Sequence, residues 1–249
     1  MTDTRPKIRL YVDAPLRPGS EITLTDQAHY LTGVMRQRAG DRIALFNGHD
    51  GEWAAEIAQA GKRQVAVTVT TQTAPQQNPP DLWLFFAPIK KTRTDFIVEK
   101  AAELGAARIL PVLTRFTNAE RVRTDRLAAH AREAAEQCGG TYVPKVSTPQ
   151  RLDAVLGDWP DDRKLMFCDE GQVGLSTASA QLRARGPGPW AILIGPEGGF
   201  SPEERARLTA LPAACPVSLG PRILRADTAA VAALTLWQSV LGDWAGPSQ

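Results

Sequence analysis

The sequence predicts an α/β protein, a largely parallel sheet with helices on both faces, preceded by a small β-rich unit. Three observations predict it. From residue 82 onward, short apolar runs alternate with helical segments, the order that builds sheets buried on both sides. Residues 8–70 instead carry β-prone runs separated by turn signals such as Asn47-Gly48-His49-Asp50-Gly51. Between the two, Thr73-Ala74-Pro75-Gln76-Gln77-Asn78-Pro79-Pro80 offers little to pack and reads as a linker. The expected domains are therefore 1–72 and 81–249, joined by 73–80.

In the first domain, strands are expected at Ile8–Val12, Arg42–Phe46, Trp53–Ile57 and Val65–Thr70. One helix interrupts them, from about Asp26 to Arg38, with Tyr30, Leu31, Val34 and Met35 on one side. The pattern suggests a small barrel-like unit. In the second domain, Leu82–Ala87 is a continuous apolar strand. The helix Thr94–Leu104 follows, with Ile97, Ala101 and Leu104 on one face and Gly105 ending it. Arg108–Leu113 is the next strand, and Thr124–Cys138 a helix stopped by Gly139-Gly140. Further strands are expected at Lys164–Cys168, Trp190–Ile194 and Pro216–Leu219, with a last helix from about Asp227 to Leu241.

Composition narrows the function classes. At 249 residues and 43% hydrophobic, the chain can bury a substantial core. No apolar run approaches the roughly eighteen residues of a membrane span, and the N-terminus lacks an apolar signal core, so a cytoplasmic protein is expected. Cys138, Cys168 and Cys215 have no C-x-x-C spacing, and His29, His49 and His130 lie far apart, so neither a disulfide framework nor a metal site is expected. No G-x-S-x-G nucleophile signature occurs. The net charge is only +2, but from Lys90 to Arg132 ten basic residues face five acidic ones. That excess fits either an electrostatic footprint for nucleic acid or solvated helix faces.

The most informative stretch is the strand Trp190–Ile194 running into Gly195-Pro196-Glu197-Gly198-Gly199-Phe200. A glycine-rich loop at the carboxyl end of a buried strand is where open α/β sheets place ligands. Ser201 is a natural N-cap, Pro202 suits the first helical position, and Glu204 completes a capping box. Glu197 argues against phosphate and for a ligand that is neutral, cationic or rich in ribose hydroxyls, since phosphate loops want N–H groups and cations. The same residues would also serve a bare strand–turn–helix joint. A second loop, Gly220-Pro221-Arg222-Ile223-Leu224-Arg225, leads into the last helix, with apolar residues between arginines. A third strand ends in Cys168-Asp169-Glu170-Gly171. Three such strand ends are what a pocket at the sheet's carboxyl edge requires.

Together these loops resemble the signature of the RsmE family, SPOUT-class methyltransferases acting on N3 of a uridine in 16S rRNA. The resemblance rests on Gly195-Pro196-Glu197-Gly198-Gly199 and on Leu219-Gly220-Pro221-Arg222-Ile223-Leu224-Arg225 followed by Asp227-Thr228-Ala229. It extends to Pro88-Ile89-Lys90-Lys91 with Asp95, to Glu99-Lys100-Ala101-Ala102-Glu103-Leu104-Gly105, and to Glu136-Gln137 with Val143-Pro144. His29-Tyr30-Leu31, Val34-Met35-Arg36 and Gly40-Asp41 are similar to the family's N-terminal PUA-like domain. Two departures stand out. Asp227 occupies a position where the family usually has Glu, and Gly140 one where Arg is common.

The resemblance implies a SPOUT-type trefoil-knotted α/β domain with a small N-terminal PUA-like β-barrel domain. It implies S-adenosylmethionine as cofactor, no metal, a homodimer, and 16S rRNA within the 30S subunit as partner. Ile194, Gly195, Pro196, Glu197, Gly198, Gly199, Leu219, Gly220, Ile223, Leu224, Thr228 and Ala229 would hold the cofactor. Arg9 and Arg36, with Lys90, Lys91 and Arg93, would contact RNA. Asp227 is the candidate base and Arg225 the candidate stabiliser of the uracil anion. Alternatives are a related enzyme acting on a ribose 2′-hydroxyl or another RNA position, and a non-catalytic RNA-binding assembly factor. A nucleotide-binding oxidoreductase is disfavoured, because G-x-G-x-x-G is absent.

Overall fold

Alternating side chains, pointing to opposite faces of each strand, organise the structure from the first element onward. The computed structural model describes residues 6–118, 122–168 and 177–245. These fall into two compact units. One comprises the described residues up to Asn78 together with Ala135–Val143, and the other Pro79–Ala134 with Pro144 onward.

The first unit is a five-stranded sheet of β1 (Arg9–Tyr11), β2 (Glu21–Leu24), β3 (Arg42–Phe46), β4 (Glu52–Ala60) and β5 (Val65–Ala74), in the order β1-β3-β4-β5-β2. β1 pairs with β3 in parallel and the other pairs are antiparallel. Strand β2 was not anticipated from the sequence. Its Ile22 and Leu24 alternate with exposed Glu21 and Thr23, and they join Leu10, Ile43, Leu45, Ile57 and Val67 in one core. The expected linker is partly structured: Thr73 and Ala74 belong to β5, Gly51 N donates to Gln76, and Gln77 N donates to Thr141 Oγ1.

The helix expected over 26–38 is instead a single π turn, Tyr30–Val34, closed by Met35 N donating to Tyr30 O. Only Leu31 in it is buried, while Tyr30, Val34 and Met35 are exposed. Arg36 follows with φ 55°, a left-handed conformation that ends any right-handed helix. The 3.6-residue spacing that grouped four apolar side chains does not apply to a turn bonded i to i+5.

Arg9 requires a correction. The sequence reading gave it a phosphate to hold, but it lies inside the first unit with 8% of its side chain exposed. Its Nε pairs with fully buried Glu52. Its Nη1 donates to the carbonyls of Ala135 (2.9 Å) and Glu136 (2.7 Å), and its Nη2 to that of Gly140 (2.8 Å). These carbonyls belong to the end of α2 (Thr124–Cys138) and the turn after it, where a helix leaves acceptors unsatisfied. Glu136 accepts in turn from Tyr11 N at 2.9 Å.

The second unit is a parallel sheet in the order β12-β10-β11-β6-β7-β8, with β9 also pairing to β7. Its strands are β6 (Leu82–Phe86), β7 (Arg108–Leu113), β8 (Lys145–Val146), β9 (Gln150–Arg151), β10 (Lys164–Cys168), β11 (Trp190–Ile194) and β12 (Ala214–Val217). Alternate residues feed two separate cores. Leu82, Leu84, Phe86, Trp190, Ile192, Ile194 and Met166 face one side. Phe85, Ala191, Leu193, Leu165 and Phe167 face the other. α1 (Lys91–Glu103), α2, α4 (Ala178–Arg185) and α6 (Ala226–Val240) contribute Ile97, Leu127, Leu182 and Trp237 to the first core. α3 (Leu152–Gly157) and α5 (Pro202–Ala210) contribute Leu152 and Leu208 to the second. α1 and α6 also lock together, because buried Gln238 on α6 donates to the carbonyl of Leu104 at 2.7 Å.

The chain leaves β6 toward β7 and β8, then returns on the other side through β10, β11 and β12. The direction reverses between β6 and β11. At such a switch point the loops from neighbouring strands part and open a crevice at the carboxyl edge.

Candidate functional site

Strands β12, β10 and β11 are neighbours, with Cys168 in register with Val217 and Phe167 with Leu193. Their carboxyl ends therefore emerge side by side. The loops at 195–200 and 218–225 border one cleft, whose empty space, including its open mouth, is about 850 Å³. Ile194, Gly195, Pro196, Glu197, Gly199, Leu219, Gly220, Ile223, Leu224 and Ala229 line it. Gly198 and Thr228 are not among its walls. The sequence reading missed Phe200, Arg205 and Ser218, which also line it. Phe200 directly follows the glycine run, and its aromatic ring was a usable signal. The polar end of the third strand, Asp169-Glu170-Gly171, lies outside the described residues.

Close packing explains the loop's composition. A Cβ on Gly195 would stand 2.7 Å from the Phe200 ring, which is itself edge-on to Phe167 at 5.3 Å between centroids. Gly220 has φ 116° and space around it, so there the need is conformational. Cys168 sits at the inner wall, where burial beside Cys215 pushes its thiol up to about 12. It is therefore a neutral wall group at physiological pH, not a nucleophile.

Past Phe200, α5 begins with a complete capping box. Ser201 Oγ accepts from Glu204 N (3.2 Å), and Ser201 N donates to Glu204 Oε2 (2.9 Å). Glu204 Oε1 also accepts from Arg115 N at 2.7 Å, so one carboxylate fastens the turn after β7 to the start of α5.

The charged groups at the switch point form a chain of three. Ala87 N donates to Ile194 O, which brings the segment after β6 beside the loop after β11. Arg93, on the first turn of α1, places Nη1 3.0 Å from Glu197 Oε1 and Nε 3.7 Å from Asp227 Oδ2. Asp227 Oδ1 accepts from Thr228 N at 2.9 Å. The side chains of Arg93 and Glu197 are 28% and 50% exposed, and ion pairs so solvated contribute only about 0–1 kcal/mol to folding. The sequence reading gave these residues to RNA contact, cofactor and base respectively, and the structure brings all three together. Arg225, the expected stabiliser, is exposed at the N-cap of α6.

The basic excess between residues 90 and 132 is partly neutralised within the second unit. Arg126 pairs with buried Asp95, Lys100 with Glu103 and Arg123 with Asp125. Arg108 lies over the Trp83 ring at 4.3 Å. Lys90 and Lys91 remain exposed at the start of α1.

An RNA methyltransferase domain matches residues 76–238, and an RNA methyltransferase PUA domain matches residues 22–70. The chain belongs to the ribosomal RNA small subunit methyltransferase E family. The member of that family from Rickettsia conorii is 29% identical over 228 residues, covering 91% of this chain and 93% of its own. Among solved structures, a Legionella pneumophila protein in complex with its bound cofactor SAM superposes with a TM-score of 0.86. It is 30% identical, with 96% of this chain and 100% of that one covered. The family member from Neisseria gonorrhoeae, bound to S-adenosyl methionine, gives a TM-score of 0.86 at 26% identity, covering 95% and 99%. The fold is therefore the family's, an N-terminal PUA-like β domain followed by a SPOUT-type α/β domain with a parallel sheet.

Proposed function

We propose that the chain transfers the methyl group of S-adenosylmethionine to N3 of a uridine in 16S rRNA, acting on the 30S subunit. The observation that carries this is the cleft over the carboxyl ends of β10, β11 and β12. It is walled by a glycine loop and by apolar Ile223 and Leu224, and a carboxylate, Glu197, stands at its edge. The donor set fits that cofactor, which carries a sulfonium cation and a ribose but no phosphate. Gly195 leaves the loop backbone bare where it packs on Phe200. When bound there, the cofactor supplies an electrophilic methyl group.

The chain's own residues do the rest. Ile194–Glu197, Gly199, Leu219–Leu224 and Ala229 hold the cofactor, with Gly198 and Thr228 beside them. Asp227 removes the N3 proton, without which that nitrogen is a poor nucleophile. A cation beside it offsets the charge that develops on the uracil, and most of the remaining acceleration comes from alignment of nucleophile and donor. Lys90 and Lys91 meet phosphates near the cleft. On the PUA-like unit Arg36 is exposed next to exposed Tyr30 and Met35, a cation beside flat apolar surface suited to an unpaired RNA segment. Exposed Ile223 and Trp244 support a homodimer as the active form, and the trefoil knot belongs to the same proposal. No helix among the described residues is long and apolar enough to cross a membrane, in keeping with a ribosomal substrate in the cytoplasm.

The test uses purified full-length protein, labelled cofactor and 30S subunits lacking the modification. Label on 16S rRNA, mapped by nuclease digestion and mass spectrometry to uridine N3, is the expected outcome. Label on a ribose 2′-hydroxyl, or none, overturns the proposal. Sedimentation of the free protein as a monomer at micromolar concentration removes the dimer from it.

A further inference from the structure

We propose that Arg93 is a positioning residue for methyl transfer, acting through Asp227, with Glu197 as its own anchor, and not as a phosphate contact for RNA. This deepens the function proposed above and rests on it.

The first turn of α1 breaks a local rule. A helix N-terminus favours carboxylates, yet this turn has no acidic residue and carries Lys91 and Arg93. Natural sequences break such rules mainly where function gains from it. The missing negative charge is supplied from elsewhere, by Glu197 after β11 and Asp227 at the start of α6. The surplus cation thus sits between the two segments that wall the cleft.

Its geometry matches that role. The guanidinium is a rigid planar fork, and here different nitrogens face the two carboxylates, at 3.0 Å and 3.7 Å. Asp227 is then engaged at both ends, Oδ1 by a hydrogen bond from the Thr228 N–H and Oδ2 by the charge of Arg93 at 3.7 Å. Each carboxylate oxygen has a second lone pair, so Asp227 can still accept the N3 proton of the target. In that step the N3–H bond breaks, the proton passes to Asp227 and on to solvent, and the electron pair left on N3 becomes the nucleophile. Arg93 keeps the accepting oxygen aimed and ties it to the cofactor loop. A lysine would keep the charge but lose the two-sided grip.

The experiment compares parent, Arg93→Ala, Arg93→Lys, Asp227→Asn and the Arg93→Ala/Asp227→Asn double variant, using labelled cofactor and unmethylated 30S subunits. Arg93→Ala should lower kcat about 100-fold, as misalignment of a reacting group does, with KM for 30S changed less than about threefold. Arg93→Lys should recover part of the loss. In the Asp227→Asn background, Arg93→Ala should cost less than about threefold more, because its effect runs through that carboxylate. Salt-dependent RNA binding should match the parent. The inference is overturned by a kcat within about threefold of the parent, by losses that simply multiply, or by an effect confined to KM with a shallower salt slope. If Arg93→Ala melts below the assay temperature, the same comparison is made with Arg93→Lys. A parent that leaves 30S unlabelled fails at the first measurement and overturns the proposed function, whereas an active parent with an indifferent Arg93 overturns only this inference.

Discussion

Replacing Arg9 by alanine should unfold the protein more readily and should not act mainly on RNA. The substitution removes the guanidinium partner of Glu52 and three donors to the carbonyls of Ala135, Glu136 and Gly140. Glu52 has no exposed side-chain surface, and of the partners described here Thr73 Oγ1, at 2.8 Å, would remain. Breaking a buried ion pair from one side costs about 3–5 kcal/mol, chiefly through the charge left behind. At about 2–4 °C per kcal/mol for a chain of this size, the transition involving the first unit should fall by about 6–20 °C. Calorimetry measures this directly. A combined Arg9→Met/Glu52→Leu variant should regain much of the loss, since it leaves no unpaired charge. At a temperature where Arg9→Ala is still folded, RNA affinity should change less than about threefold, with the same salt dependence. A melting temperature within about 2 °C of the parent, with a salt slope reduced by about one phosphate contact, would refute the reasoning.

Gly195→Ala should weaken S-adenosylmethionine binding at least about tenfold (about 1.4 kcal/mol) in calorimetric titration, with the circular dichroism of the parent, because the new methyl meets the Phe200 ring. Ser201→Ala should cost about 1 kcal/mol of stability in urea unfolding, as loss of an N-cap does. Glu204→Ala should cost more, since its carboxylate also accepts from Arg115 N. Cys168 gives a pH signature. Its thiol ionises near 9.0 when unfolded and at about 12 when folded. Stability from this group is therefore intact below pH 9, and is lost at up to about 1.4 kcal/mol per pH unit as pH rises from there toward 12. Urea unfolding at pH 8 and pH 10 should show a steeper decline for the parent than for Cys168→Ala.

What could be read from the sequence followed from how local the cause was. Strands β3, β7, β10 and β11 and helix α2 lie where their apolar runs and bounding turns placed them, because those patterns carry their own period and their own stops. The cleft was legible in part, since the glycine loops after β11 and β12 share one edge once those strands flank β10. The π turn at Tyr30–Val34 was not, because the same apolar spacing serves a 3.6-residue helix until Arg36 turns left-handed. Nor were the arginines. Arg9 and Arg93 both looked like phosphate ligands, for a long cation carries no local sign of its partner. In the fold, Arg9 meets Glu52, 43 positions away, with no exposed side-chain surface on that partner, and there its charge serves stability. Arg93 meets Glu197, 104 positions away, at half exposure, where the pair adds almost nothing to folding. That contrast separates the two roles. An ion pair placed where it stabilises little, between two loops that wall a cleft, is best explained by what it orients.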